Sequence, residues 1–230
     1  MNRVYFVRHG ENPANLNKQL SHRLIDYSLT PKGVLQAQQT AAYFADKGID
    51  AIYTSPLKRA RETAEIIGAA VGLPAVEIEE FREINVGDLE AEQPLQEHWD
   101  TYFRIVRDWV ERRPTSAFPG GENHHQLVAR VRRGLAQALA GRDGQNVVVV
   151  AHGGLFFSSI GDLAPDADLA AIFRAGNQNC SVSELLFEQG ERGLRATLVA
   201  WASCGHLSGE AAEFVLPMPD SHARTARGES

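Results

Sequence analysis

The sequence predicts a single α/β domain with three αβα layers, a mainly parallel central sheet and a small helical cap insertion. Residues 4–7 and 147–151 form two short, almost wholly apolar runs, the pattern of strands that are buried on both faces of a parallel sheet. Between and after these runs, strand patterns alternate with amphipathic helical patterns. With 230 residues, 43% of them hydrophobic, the chain is long enough to bury one substantial core.

The first long helix is predicted to begin at Pro31. Thr30 before it is a favoured N-cap residue, and proline is favoured at the first helical position. Lys47 and Gly48 close the segment. The apolar side chains in between recur at helical spacing: Val34, Ala37, Ala41 and Phe44.

A short apolar run at residues 51–53 predicts the next strand. Ser55 and Pro56 then repeat the N-cap signal and predict a second helix, which is expected to end before Gly72. Arg59 lies within about the first turn of this helix. We expect it near the positive end of the helix dipole and directed toward the strand ends.

Residues 90–121 are predicted to form the cap insertion. Its first part shows an apolar stripe at helical spacing, and residues 114–121 form a turn-rich loop. The stripe consists of Trp99, Phe103, Val106 and Val110. An insertion at the carboxyl end of a sheet is a natural cover for a site, although packing into the core alone would produce the same stripe.

The remaining elements are a helix, a strand pair and a tail. The helix precedes the strand at residues 147–151, and its apolar face is formed by Leu127, Val131, Leu135 and Leu139. Two strands are predicted at residues 182–187 and 194–201. The domain is thus expected to span residues 1–216. Residues 217–230 are polar and hold Pro, Ser, Arg and Gly, which predicts a disordered tail.

The composition of the chain argues against nucleic-acid and membrane partners. A net charge of −6 argues against a nucleic-acid surface, which needs clustered Lys and Arg. No apolar run is long enough for a membrane span, and Met1 leads directly into a strand without a signal peptide. Cys180 and Cys204 suit free thiols in a reducing compartment. We therefore expect a cytoplasmic protein without nucleic-acid or membrane partners. The oligomeric state stays open, with a homodimer as one candidate.

Two strand ends carry the residues best suited to chemistry. Arg8 and His9 follow the first strand, and His152 and Gly153 follow the strand at residues 147–151. Because such sheets place their ligand site at the carboxyl ends of the strands, we expect both imidazoles on one rim. An arginine from the second helix converges there. Two imidazoles and an arginine describe a site for a doubly charged anion, with one histidine available as nucleophile. The predicted substrate is a small-molecule phosphate ester.

Four blocks of sequence resemble the histidine phosphatase superfamily, the phosphoglycerate mutase-like fold, over about residues 4–206. The blocks are Arg-His-Gly at 8–10, a Ser-Pro-Leu-x-Arg-Ala-x-x-Thr-Ala stretch at 55–64, a glutamate before a glycine and an acidic turn at 83–90, and His-Gly-Gly at 152–154. One triplet would have little specificity, whereas four blocks in the family's order are specific.

The resemblance implies a role for each central residue. His9 would attack phosphorus and carry a phosphohistidine intermediate. Glu83 would be the general acid that protonates the leaving oxygen, and then the base toward water. Arg8, Arg59 and His152 would bind the phosphoryl group and stabilise its developing charge.

Asn15 and Gly153 are further candidates for phosphate binding. Asn15 matches an asparagine that many relatives carry six residues after the nucleophile. Ser21 and His22, however, stand where a Gln-Gly pair commonly borders the substrate, and Ala91 replaces a frequent glycine after the acidic turn. No cofactor and no metal are expected.

Alternative functions share this site. Besides a phosphomonoesterase, a cofactor-dependent phosphoglycerate mutase would return the phosphoryl group to another hydroxyl, and a non-catalytic domain would only bind a phospholigand. The insertion at residues 90–121 favours the phosphatase, because its basic residues are offset by acidic ones. A pure binding domain would be expected to lack a chemical residue. A metal-dependent hydrolase built on His9, His152 and Glu83 is disfavoured by the neighbouring arginines, which oppose a cation.

Overall fold

A six-stranded sheet forms the centre of the molecule. The computed structural model describes residues 1–93, 95–190 and 193–215, so the predicted tail at 217–230 lies outside the described residues. The strands are β1 Asn2–Arg8, β2 Ala51–Thr54, β3 Ala75–Glu77, β4 Asn146–Ala151, β5 Val182–Gly190 and β6 Gly193–Ser203. They lie in the order β3-β2-β4-β1-β5-β6. The first four pair in parallel, and β5 is antiparallel to both β1 and β6. The prediction of a mainly parallel α/β sheet is confirmed.

Helices cover both faces of this sheet. They are α1 Pro13–Leu16, α2 Pro31–Phe44, α3 Lys58–Val71, α4 Gln96–Val110, α5 His124–Ala138, α6 Gly153–Leu163 and α7 Leu169–Ala175. Tyr5 and Val7 of β1 pack with α2 and α3 in one core. Val4 and Phe6, on the opposite face of the same strand, pack with α4, α5 and α6 in a second core. The sheet is therefore the middle of three layers. Within the part of the chain that the structure describes, no helix is long and apolar enough to cross a membrane.

The start of α2 follows the prediction and the start of α3 does not. The Thr30 side chain accepts a hydrogen bond from the Gly33 N–H, as an N-cap should. In contrast, α3 begins at Lys58, after an N-cap residue, Leu57, that makes no side-chain cap bond. The sequence prediction that Ser55 and Pro56 begin this helix was wrong by a few residues. Ser55 stands too early to be the cap, and its hydroxyl contacts a site histidine instead.

The helix of the cap insertion is present, but its buried face differs from the prediction. Trp99 is buried as expected, whereas Val110 is 60% exposed and Ile105 and Trp109 are buried in its place. The Trp109 indole N–H donates to the Ser116 carbonyl, which fixes that face inward. The helix α4 is therefore part of the core above the sheet.

Candidate active site

Two histidines meet at the carboxyl ends of neighbouring strands. In the register of β1 and β4, Arg8 lies beside Ala151, so the next residue of each strand is a histidine. The rings of His9 and His152 have centroids 5.2 Å apart. Both residues are buried, with exposed fractions of 3% and 0%. The structure thus brings together the two imidazoles that the sequence places on one rim.

Hydrogen bonds select one tautomer of His9. Its Nδ1 lies 2.7 Å from the Gly10 carbonyl oxygen, which can only accept. The Arg59 Nε–H donates to His9 Nε2 at 3.2 Å. Nδ1 therefore carries the proton, and Nε2 presents its lone pair. The next residue must be glycine, because a Cβ on Gly10 would lie 2.5 Å from the Gly33 carbonyl oxygen.

Both imidazoles are neutral in the unliganded protein. Burial, with the charges of Arg59 and Arg8, holds the pKa of His9 well below its ordinary value of 6.5. Burial, with Arg59 and His9, does the same to the pKa of His152. A neutral ring is what a nucleophilic nitrogen requires.

Ser55 sets the orientation of His152. Its hydroxyl oxygen lies 2.7 Å from His152 Nε2 and accepts from the Leu57 N–H at 3.3 Å. The serine proton is therefore free to be donated to Nε2, and the histidine proton then resides on Nδ1. Nδ1 is buried and has no hydrogen-bond partner. Sequence reasoning missed this role, because Ser55 was interpreted as a helix cap.

Two buried arginines flank the histidines. Arg8 donates to the Asn177 carbonyl and Arg59 to the Ser21 carbonyl, the latter at 2.9 Å. Burial lowers the pKa of both guanidiniums, and lowers that of Arg59 to about 10, which leaves Arg59 charged at neutral pH.

Three buried donors in this site have no partner among the residues that the structure describes. They are Arg8 Nε, Arg59 Nη1 and His152 Nδ1. Buried polar groups are almost always hydrogen-bonded, so three orphan donors around one nucleophile point to a ligand with several acceptor oxygens. A phosphoryl group supplies such oxygens, and guanidiniums bind them with charge-assisted hydrogen bonds.

The Glu83 carboxylate lies at the N-terminus of α6. Its Oε2 accepts from the Gly154 N–H at 3.1 Å, and its Oε1 accepts from the Leu155 and Ile84 N–H groups at 2.7 and 2.8 Å. The fit is close, because a Cβ on Gly154 would lie 2.9 Å from Glu83 Oε1 and 3.1 Å from the Tyr102 hydroxyl of α4. Burial and the nearby Glu83 raise the pKa of Tyr102 above its ordinary value. The cap helix therefore reaches the site through Tyr102.

Asn15 is linked to His9 through a network that the sequence did not reveal. Its Oδ1 accepts from the Asn12 N–H and from Asn179 Nδ2, both at 3.1 Å. Asn179 Nδ2 also donates to the His9 carbonyl at 2.9 Å. With Oδ1 occupied, the Nδ2 amino group is the donor that Asn15 can offer a ligand. The sequence does not single out Asn179, because asparagine-rich turns are common.

The segment that departs from the family pattern is held by its backbone. Glu90 accepts hydrogen bonds from the N–H groups of His22, Arg23, Leu24 and Ile25 at 2.7 to 3.0 Å. The Arg59 guanidinium binds the Ser21 carbonyl, and His22 Nδ1 lies 2.8 Å from the Glu83 carbonyl. Because these contacts use mostly main-chain groups, Ser21 and His22 can replace the Gln-Gly pair without releasing the loop.

Gly153 begins α6 directly beneath an arginine. A Cβ there would lie 3.3 Å from Arg8 Cδ and Nε. Glycine therefore lets the arginine side chain lie against the first turn of the helix. No group of three or more His, Cys, Asp or Glu side chains that could hold a metal ion occurs among the described residues. The charged Arg59 already occupies the lone pair of His9 Nε2, which opposes a cation at that atom.

Acid should destabilise the protein through these two histidines. Below about pH 6.5 these two histidines bind protons in the unfolded chain but stay neutral in the folded protein. The free energy of unfolding therefore falls by up to about 1.4 kcal/mol per pH unit for each ring. Urea unfolding at several pH values between about 5 and 7 measures the slope. The double variant His9→Gln, His152→Gln should have a shallower slope. Equal slopes would show that the two rings are not held neutral.

Fold and site together have the features of proteins that transfer a phosphoryl group through a histidine. The family model of the histidine phosphatase superfamily (branch 1) matches residues 4–199. The chain belongs to this superfamily.

Its relatives include phosphatases and phosphoglycerate mutases. The uncharacterized phosphatase PhoE of Bacillus subtilis is 37% identical over 153 residues, which are 66% of this chain and 72% of PhoE. The probable phosphoglycerate mutase GpmB of Erwinia tasmaniensis is 32% identical over 194 residues, 82% of this chain and 86% of GpmB. Among solved structures, mycobacterial glucosyl-3-phosphoglycerate phosphatase is 27% identical, with a TM-score of 0.73 over 87% of this chain and 98% of that one.

Proposed function

We propose that the protein is a phosphomonoesterase that acts through a phosphohistidine on His9. One observation carries this proposal: His9 Nε2 is unprotonated and accepts from the Arg59 Nε–H, and three buried donors that have no partner among the described residues lie around it. Attack exchanges the hydrogen bond from Arg59 for the bond to phosphorus. Phosphoryl transfer depends mainly on positioning and on stabilising the equatorial oxygens. The unpartnered donors of Arg8, Arg59 and His152 suit those oxygens. His9 Nε2 then has only to lie in line with the bond from phosphorus to the leaving oxygen.

The reaction balances with the residues of this site. His9 Nε2 attacks phosphorus, the bond to the ester oxygen breaks, and its electron pair stays with the leaving alkoxide. Glu83 enters this step protonated; its proton passes to the leaving oxygen, which becomes an alcohol, and Glu83 is left as the carboxylate. In the second half, Glu83 accepts a proton from water as the water oxygen attacks phosphorus and releases His9. Asn15 Nδ2 and Gly153 are proposed to add contacts to the phosphoryl oxygens.

The cap favours a phosphatase over a mutase that uses a bisphosphorylated cofactor. A clamp for two phosphates needs free positive charge. In α4 and the turn after it, Asp108 lies 3.8 Å from Arg104 and 2.6 Å from Arg113, so two of the arginines of the insertion are paired with a carboxylate. The similarity to PhoE, which is named a phosphatase, also supports the phosphatase, whereas the similarity to GpmB supports the mutase. A small-molecule ester as substrate and a cytoplasmic location complete the proposal; a homodimer stays a prediction.

A turnover screen tests the proposed function. The chain is offered a panel of phosphate esters, with and without 2,3-bisphosphoglycerate and with and without EDTA. We expect release of inorganic phosphate that survives chelation and needs no bisphosphate, because the guanidiniums of Arg8 and Arg59 supply the positive charge and His152 supplies a further hydrogen-bond donor. Interconversion of phosphoglycerates that requires the bisphosphate would establish the mutase instead. Loss on chelation with recovery on added zinc or magnesium would establish a metal-dependent hydrolase, and binding without turnover a phospholigand domain.

The role of Glu83 predicts a dependence on the leaving group. A general acid matters most when the leaving group is poor, so Glu83→Gln should lose roughly 2 to 4 orders of magnitude in kcat/KM on an alkyl phosphate. The loss on p-nitrophenyl phosphate should be much smaller, since its phenolate leaves unaided. Equal losses on both substrates would remove Glu83 as the proton donor.

A further inference from the structure

We infer that Arg130 and Glu122 are positioning residues for the proton donor. Nothing in the sequence marked either one. Arg130 lies in the middle of α5 and Glu122 just before that helix, and their side chains are 14% and 9% exposed. The pair is joined by two hydrogen bonds, Nη2 to Oε1 at 2.7 Å and Nε to Oε2 at 2.9 Å. This inference rests on the proposed role of Glu83.

The remaining hydrogen bonds of the pair go to the segment that carries Glu83. Arg130 Nη1 donates to the carbonyls of Glu80 and Arg82 at 2.7 and 2.6 Å, and Nη2 donates to the Glu83 carbonyl at 3.1 Å. Glu122 binds both main-chain groups of Asn85: its Oε1 accepts from the N–H at 2.8 Å, and its own N–H donates to the carbonyl at 2.9 Å. The pair therefore holds backbone groups on both sides of Glu83.

This segment lacks the main-chain hydrogen bonds of a helix or strand, although Ile84 and Val86 pack in the core and the Glu83 carbonyl also lies 2.8 Å from His22 Nδ1. After the 3-10 turn at Glu79–Phe81 and before the one at Gly87–Leu89, residues 82–86 belong to no helix or strand. All five N–H groups of the Arg130 guanidinium donate hydrogen bonds. Arg130 thus takes the place of the missing secondary structure. Glu83 is fixed at two ends: its main chain by α5, and its carboxylate by the N-terminus of α6.

Such a clamp matters because proton transfer is sensitive to distance. A displacement of about 1 Å can cost roughly 100-fold in rate. The ion pair is buried, and loss of one partner leaves the other charge unpaired. Removing the pair should therefore let the 82–86 segment shift while the phosphate-binding residues on β1, β4 and α3 stay in place. We therefore expect a defect in protonation of the leaving oxygen and not in phosphate binding.

The test compares two leaving groups in Arg130→Met and Glu122→Gln. Each variant should lose roughly 10- to 100-fold in kcat/KM on an alkyl phosphate, and less than about threefold on p-nitrophenyl phosphate. Arg132→Met is the matched control, because Arg132 lies on the same helix and also binds carbonyls, those of Leu194 and Asp162. Arg132→Met should leave the ratio of kcat/KM on the alkyl phosphate to kcat/KM on p-nitrophenyl phosphate unchanged. Circular dichroism at the assay temperature identifies a variant that does not fold. The kinetics of the other variant then test the inference.

Each variant is also combined with Glu83→Gln. If the pair acts through Glu83, neither Arg130→Met nor Glu122→Gln changes the substrate ratio further in that background. Equal losses on both substrates in the single variants, or no loss, would overturn the inference. If Glu83→Gln alone fails to separate the two leaving groups, the proposed role of Glu83 fails instead, so the two failures are distinguishable.

Discussion

Replacing His9 by alanine is expected to abolish turnover of every phosphate ester. Removing the nucleophile of a covalent mechanism costs on the order of 10⁶ in kcat in a well-studied protease. The Arg59 Nε–H would also lose its acceptor. His9→Gln is the sharper variant, because its amide oxygen can still accept from Arg59 while it cannot carry the phosphoryl group. Both are assayed on p-nitrophenyl phosphate and on an alkyl phosphate.

Binding of phosphate separates loss of chemistry from loss of the site. Arg8, Arg59 and His152 are unchanged in His9→Gln, so inorganic phosphate should still bind, as isothermal titration would measure. If His9→Gln retained more than about a hundredth of the wild-type rate, nucleophilic attack by His9 would be ruled out.

The second large effect is expected for Arg59. Arg59→Ala removes the donor that orients His9 and an orphan donor that suits the phosphoryl oxygens, a loss of about 3 kcal/mol, or on the order of 10²-fold in kcat/KM, by analogy with an oxyanion-hole donor. Unlike Glu83→Gln, it should affect alkyl and aryl phosphates alike. Arg59→Lys should not restore the rate, because one ammonium cannot reach His9 and the Ser21 carbonyl in the planar geometry of the fork.

Arg61→Ala is the control for Arg59. It lies two residues further along α3, with a half-exposed side chain whose carboxylate partner, Glu77, is 3.5 Å away. We expect its activity to remain within about threefold of the wild type, since exposed ion pairs contribute little. A defect in Arg59→Ala that was confined to the alkyl phosphate would assign Arg59 to the leaving group and contradict its role in charge stabilisation.

The sequence predicted the centre of this site because its residues follow strands. The apolar runs before His9 and His152 indicate buried parallel strands, and such strands end at one rim. That inference needs only local patterns. In the same way, Thr30 and Pro31 predicted the start of α2 correctly, since an N-cap is a local device.

The supporting residues escaped prediction because they act over long sequence distances on main-chain groups. Asn179 binds the carbonyl of a residue 170 positions away, and Arg130 binds that of Glu83, 47 positions away. A side chain that binds a distant carbonyl leaves no periodic pattern. Glu83 itself sits in an acidic run that suggests a solvated surface, and only the N-terminus of α6 gives its carboxylate a defined place.

The stripe of α4 was misplaced for a related reason. Helical spacing alone allowed Val110 on the buried face, but the Trp109 indole finds its acceptor in the turn that follows the helix. The start of α3 differs because Ser55 has a partner in His152, the residue after β4, that outweighs its preference for a cap. In both cases a tertiary hydrogen bond decided between local alternatives.

Trapping the phosphoenzyme tests the central claim most directly. The protein is mixed with a ³²P-labelled phosphate ester, quenched, digested and mapped. The account predicts label on the peptide that contains His9, stable in alkali and labile in acid as expected of a phosphoramidate, and absent from His9→Gln. Label on a serine, aspartate or cysteine, or turnover by a His9→Gln protein that carries no label, would contradict it.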